Sequence, residues 1–335
     1  MLPSPEEVAT DLRRLGLPCP DLPRLEPIPG DAGGRRYVRV RMGKDSLMLM
    51  LVPEKPDRER GAEEDGGELP YLNVQRYLKT LDLPVPEVHG WDPATRRLYQ
   101  EDFGSHPLSA TQDLDRALAL YSVSVALLCR MQERTTEPDA SCFAFRRRFD
   151  TGAVRSELAE FSEAGIPHTA RRAPDPAEFG RLDAELDALA GDVAALPACF
   201  SHRDFHGDNL LVRPDGLLGM IDFQDAFLAP RLYDLASLLT DRGVPARWGL
   251  RFVDAQMDAF VSFGGMRKGD VEREFWLCVL QRQMKVAGRF VNLARRGKPS
   301  YLDHLPATWG VIGQALDRTG RRGLKELLAS LGCPV

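Results

Sequence analysis

Residues 199–223 limit the folds open to this chain more than any other stretch. His202-Arg203-Asp204-Phe205-His206-Gly207-Asp208-Asn209 crowds charged and polar groups into a short loop, directly before the apolar run Leu210-Leu211-Val212. Pro214-Asp215-Gly216 is a turn signal. Leu217-Leu218-Gly219-Met220-Ile221 then reads as a second buried strand that delivers Asp222-Phe223-Gln224-Asp225. A β-hairpin of this kind holds two polar clusters at the mouth of one cleft, and the rest of the chain must supply its walls.

The chain has 335 residues, enough for two lobes with separate cores. Ser4 as N-cap, Pro5 at the first helical position and Glu7 completing a capping box predict a first helix. Val8, Leu12 and Leu15 continue it at helical spacing. The turn-rich segment 27–34 precedes a half-buried strand over Val38–Met42 and an apolar strand over Ser46–Val52, suited to cover on both faces. Residues 54–68 are charged and Gly-rich and read as a mobile loop. A helix over Leu69–Leu81 and a strand over Arg97–Glu101 complete a first lobe. Beyond Gly104 the pattern is helical, with a buried stripe from Leu114 to Leu128 and helices at 152–164, 176–194, 231–241, 247–263, 270–296 and 306–318.

A net charge of -5 argues against a general nucleic-acid binder. Six cysteines without metal spacing read as reduced structural thiols. The start of the chain lacks a signal-peptide pattern, and no stretch has the ~20 apolar residues of a membrane span. A cytoplasmic monomer without membrane or nucleic-acid partners is expected.

His202-Arg203-Asp204 with Asn209, followed by Asp222-Phe223, resembles the catalytic loop and metal motif of protein-kinase-like enzymes. The spacings match as well, five residues from Asp204 to Asn209 and eighteen from Asp204 to Asp222. The resemblance implies an α+β bilobal fold. Its N-lobe is a small antiparallel sheet with one or two helices, over 1–103 with a hinge at its end. Its C-lobe, 104–335, is larger, mainly helical and carries the catalytic β-hairpin. It implies ATP as phosphate donor and Mg2+ as cofactor, with Asp204 as catalytic base, Asn209 and Asp222 as metal ligands, and His202 and Arg203 bracing the loop. These residue types suit the chemistry. A carboxylate can orient an acceptor hydroxyl and take its proton, and magnesium prefers oxygen donors.

Only about ten residues separate Asp222 from Tyr233-Asp234, and no A-P-E motif appears, so a peptide acceptor is disfavoured. Gly30-Asp31-Ala32 with Arg35-Arg36-Tyr37, Glu101-Asp102-Phe103-Gly104, Asp222–Ala226, Gln281–Lys285 and Tyr301-Leu302 with Leu305-Pro306 resemble the bacterial N-acetylmuramate/N-acetylglucosamine kinases. That family phosphorylates the anomeric hydroxyl of cell-wall sugars in peptidoglycan recycling. Gly30, Asp31, Gly33 and Gly34 do not form the kinase G-x-G-x-x-G, and with Arg35 and Arg36 beside them they read either as a cover for the nucleotide phosphates or as an ordinary hairpin turn. The resemblance implies that Glu101, Asp102 and Phe103 form the adenine hinge. The strand Ser46–Leu51 lacks the usual phosphate-holding Lys, and Arg35 or Arg36 is its expected substitute. His206, Gln224 and Asp225 are expected near the acceptor. For His206 the competing role is a γ-phosphate contact, for Asp225 a turn cap. Asp234 is expected to cap its helix or brace the loop. The alternatives are an aminoglycoside- or choline-type phosphotransferase and a nucleotide-binding pseudokinase scaffold. A chain end without acids disfavours the first, and the intact Asp204, Asn209 and Asp222 disfavour the second.

Overall fold

The computed structural model describes residues 2–19, 21–28, 34–53 and 68–335. Gly30, Asp31 and Gly33, and residues 54–67 of the predicted mobile loop, lie outside the described residues. The chain divides into two units, Met1–His106 with Leu211–Gln224, and Pro107–Leu210 with Asp225–Val335.

In the first unit, α1 (Pro5–Arg14) begins with the capping box read from the sequence: Glu7 N donates to Ser4 Oγ at 3.3 Å, and Ser4 N to Glu7 Oε2 at 2.8 Å. Strands β1 (Arg24–Ile28), β2 (Arg36–Met42) and β3 (Asp45–Leu51), helix α2 (Pro70–Thr80), and strands β4 (Val88–Asp92) and β5 (Arg97–Glu101) follow. The sheet is antiparallel in the order β1-β2-β3-β5-β4. Val8 and Leu12 of α1 close a core with Val38, Val40, Leu47, Leu49 and Tyr99, each burial contributing about 1.5–3 kcal/mol. β1 carries Pro27 and lies at the sheet edge, where a missing backbone donor costs least. β4 is bulged between Val88 and Gly90, and a Cβ at Gly90 would lie 2.3 Å from Leu15. The sequence pattern marks neither strand.

The second unit opens with α3 (Leu114–Arg134) and α4 (Thr151–Glu160). α4 continues through a π-helical turn, Phe161–Gly165, into α5 (Ile166–Thr169). α6 (Pro176–Ala194) leads to β6 (Ala198–Ser201). The chain then passes through the hairpin strands β7 (Leu210–Val212) and β8 (Leu218–Met220), in which residues from Leu211 on group with the first unit, and returns in β9 (Phe227–Pro230), which pairs with β6. Helices α7 (Tyr233–Thr240), α8 (Val244–Trp248), α9 (Leu250–Gly264), α10 (Lys268–Arg295), α11 (Leu305–Arg318) and α12 (Arg322–Ser330) complete it.

The division corrects one expectation. Residues 211–224, placed by the sequence in the C-lobe, group with the N-terminal unit. Two long-range backbone bonds account for this, Val212 N to His106 O and Met220 N to Pro84 O, both 2.8 Å. Phe103 also packs closely against Gly219, where a Cβ would lie 2.3 Å from the ring.

At the π-helical turn, a Cβ on Gly288 of α10 would sit 2.0 Å from the Glu160 carbonyl oxygen. No side-chain adjustment relieves a backbone clash. Gly288→Ala should therefore destabilise the protein by about 3 kcal/mol, the upper end of overpacking. Urea unfolding checks this as a lowered midpoint at unchanged m value.

Candidate functional site

In the second unit the loop after β6 hangs from one buried carboxylate. Asp234, in the first turn of α7 and 1% exposed, accepts from Ser201 Oγ at 2.9 Å, His202 N at 2.7 Å and Arg203 N at 3.0 Å. Burial raises its carboxyl above the usual range, while the neighbouring His202 and these donors pull it back. The anchor holds Arg203 at φ 77°, a left-handed conformation that costs a non-glycine residue on the order of 1 kcal/mol or more. His202 is buried, with its ring edge-on to Phe205. The two residues read as bracing the loop thus sit at its tethered end.

Asp204 follows at the turn, with 36% of its side chain exposed. Burial alone would raise its carboxyl. Lys285, Arg282, His206 and Arg203 outweigh that effect and hold it well below the ordinary carboxylate range. Two of them, Lys285 and Arg203, also meet a second carboxylate, Glu157 of α4. Lys285 Nζ lies 3.2 Å from Glu157 Oε1, Arg203 Nη2 3.3 Å away, and Gln281 Nε2 donates to Oε2 at 3.1 Å. Asn209 turns its amide nitrogen to the Asp204 carbonyl at 2.9 Å, so the amide oxygen is the end left to meet a cation. His206 Nδ1 lies 3.8 Å from Asp241. With Asp208 these two form the one potential cation-binding group of its kind among the described residues, but Asp208 is already bonded to Ser109 and Arg242. Asp225 is partly exposed, 4.0 Å from Arg203.

In the first unit Asp222 is left-handed, at φ 65°, with 30% of its side chain exposed. Arg35 Nη1 approaches it at 3.5 Å, and Arg36, at the start of β2, is exposed. Gln224 is 1% exposed and donates to Asp222 Oδ1 at 2.9 Å, which orients that carboxylate. Phe223 packs on Tyr71 of α2, whose hydroxyl bonds Gln100.

Asp102 is tied to Arg39, Nε to Oδ2 at 2.6 Å and Nη2 to Oδ1 at 3.0 Å, and it also accepts from Ser46 and Gly104. Burial would raise its carboxyl, and these donors bring it below the usual range. Its side chain fixes the 102–105 segment. Glu101 pairs with Arg213 at 3.4 Å, and that guanidinium covers Phe103, 4.7 Å from the ring centroid. Gly34 is exposed and left-handed.

The structure thus adds Glu157, Lys285, Arg282 and Arg39 to the residues legible in the sequence. Gln281–Lys285 carries one usable signal: a polar run inside a helix that is otherwise apolar from Phe275 to Leu280. The cluster makes a testable demand. Removing one cation in Lys285→Met should raise the Asp204 carboxyl, so the acid limb of the kcat/KM profile should move to higher pH. An unmoved limb would detach Lys285 from the base.

An ionised, partly exposed carboxylate on a rigid loop, surrounded by cations, can orient a hydroxyl while anionic groups approach. The sequence profile of the Phosphotransferase enzyme family matches residues 24–275. An N-acetylmuramate/N-acetylglucosamine kinase of Pseudomonas putida is 25% identical over 90% of this chain and 86% of its own length. One of Pseudomonas aeruginosa is 27% identical over 93% of this chain and 90% of its own. The crystal structure of a choline/ethanolamine kinase family protein from Mesorhizobium loti superposes with a TM-score of 0.59, covering 97% of this chain and 98% of that one, at 15% identity. Its likeness concerns the fold. Among the described residues, no helix is long and apolar enough to cross a membrane.

Proposed function

Because the chain belongs to the Phosphotransferase enzyme family, we propose that it is an ATP-dependent kinase acting on the anomeric hydroxyl of N-acetylmuramate, N-acetylglucosamine or both. The observation that carries the chemistry is Asp204, partly exposed and held ionised beside Lys285, Arg282 and Arg203. The choice of sugar rests on the two Pseudomonas kinases, similar along almost the whole chain.

In this reading Asp204 accepts a hydrogen bond from the acceptor hydroxyl, fixing its lone pair toward the γ-phosphorus. The new O–P bond forms as the β–γ bridging P–O bond breaks, ADP leaves, and the hydroxyl proton passes to Asp204. Asp234 and Glu157 keep the loop and its cations in place. Asn209 and Asp222 are the residues that would hold magnesium; an amide oxygen and a partly exposed carboxylate suit that hard ion. Bound there, magnesium would neutralise charge on the nucleotide phosphates. Arg35 stands in for the missing strand lysine, and Glu101, Asp102 and Phe103 form the adenine hinge through main-chain atoms, with Gly30, Asp31, Gly33 and Gly34 over the phosphates. His206 and Asp225 belong to the acceptor side. The enzyme works as a cytoplasmic monomer in peptidoglycan recycling, without nucleic-acid or membrane partners.

The test is magnesium-dependent ATP consumption against N-acetylmuramate, N-acetylglucosamine, glucosamine, choline and aminoglycosides. Turnover is expected with the first two. Turnover confined to choline or aminoglycosides would overturn the reading, and nucleotide binding without turnover on any acceptor would make the chain a scaffold.

A further inference from the structure

We propose that Arg282 recognises the carboxylate of an acidic amino sugar and sets the preference between N-acetylmuramate and its neutral relatives, an inference that rests on the kinase reading above. Arg282 lies on α10 and is 5% exposed. A guanidinium so deeply placed normally saturates its donors with close, often bidentate partners. Two arginines of the same unit do so even though they are less buried than Arg282. Arg289 grips Glu160 at 2.6–3.1 Å, and Arg231 grips Glu274 at 2.7 and 2.8 Å.

Arg282 does not. Among the described residues its polar contacts are the Arg203 carbonyl at 3.4 Å and Asp204 Oδ1 at 3.9 Å, with the Tyr233 ring centroid 5.7 Å from the guanidinium carbon. These are long, loose contacts for five donors. Lys285, one turn away, is by contrast committed to Glu157 at 3.2 Å.

Arg282 also lines a small recess in the second unit, together with Arg242, His304 and Thr308. Asp241 lies there too, with Arg242 3.9 Å and His206 3.8 Å from its carboxylate. The recess is too small for a sugar ring and suits a short anionic arm. A ring whose anomeric hydroxyl rests on Asp204 would carry such an arm past Arg282 if it bears a carboxylate on a neighbouring substituent. N-acetylmuramate does, through the lactyl ether at C3, two ring carbons from the anomeric position. N-acetylglucosamine has only a hydroxyl there.

The experiment measures kcat/KM of the wild type, Arg282→Met and Arg282→Lys on N-acetylmuramate, on its lactyl amide and on N-acetylglucosamine. The wild type should favour the acid over the amide by at least about 30-fold, as expected for a buried charge pair. In Arg282→Met that ratio should collapse to about threefold or less, whereas Arg282→Lys should retain part of it. The proposal is overturned if the wild type does not distinguish acid from amide, a result that needs no variant to fold. It is equally overturned if Arg282→Met lowers all three substrates alike, which would make Arg282 a contact of the transferred phosphoryl group or a support of the loop. A wild type inactive on every sugar would instead remove the kinase reading itself.

Discussion

Asp204→Asn is expected to lower kcat by about 10³-fold while leaving ATP affinity within a few-fold of the wild type. The substitution keeps the shape of the loop, since what hangs from Asp234 is Ser201 and the backbone of residues 202 and 203. It removes the charge that Lys285, Arg282, His206 and Arg203 hold in its ionised form. An amide still orients a hydroxyl but cannot take its proton. Single-turnover kinetics and nucleotide titration separate the two effects, and equal loss of turnover and of ATP binding would make Asp204 structural.

Asp234→Ala should cost both stability and turnover. Its carboxylate satisfies three donors, two of them backbone amides, and each orphaned buried donor costs about 1–3 kcal/mol. A loss of about 4 kcal/mol in unfolding free energy is expected, after some relaxation of the loop. With the tether gone, Arg203 loses the backbone anchor of its φ 77° conformation, and Asp204, the next residue, loses its position. Turnover should therefore fall by about 10²-fold even at temperatures where the variant is folded, since misplacement of a base is expensive. Chemical denaturation gives the first quantity and kcat the second. Full activity in a folded but destabilised variant would uncouple the anchor from the chemistry.

Much of the fold was legible because the signals were local. The capping box at Ser4 and Glu7, the helix over 176–194 and the strand Arg97–Glu101 each follow from neighbouring residues. β1 and β4 were hidden by Pro27 and Gly90, residues tolerated there because of an edge position and a bulge. α12 (Arg322–Ser330) escaped the periodic pattern. The hairpin's allegiance was illegible because it depends on bonds to Pro84 and His106, more than a hundred residues away in sequence. The site divides along the same line. The motif gave Asp204, Asn209 and Asp222, whereas the partners that tune them come from distant helices and strands. Glu157 is an unremarkable glutamate until α4 meets α10. Asp102 belongs to a structural knot only because Arg39 reaches it from β2. The burial of Gln224 and its bond to Asp222 cannot be read from its neighbours in sequence.

The most direct test of the central proposal is phosphorus NMR of the product formed from N-acetylmuramate and from N-acetylglucosamine with ATP and magnesium. The expected product is an anomeric phosphate, with the phosphorus coupled to the hydrogen on C1 and the ester labile to mild acid. A phosphate on the 6-hydroxyl, or no sugar ester from either substrate, would contradict the account.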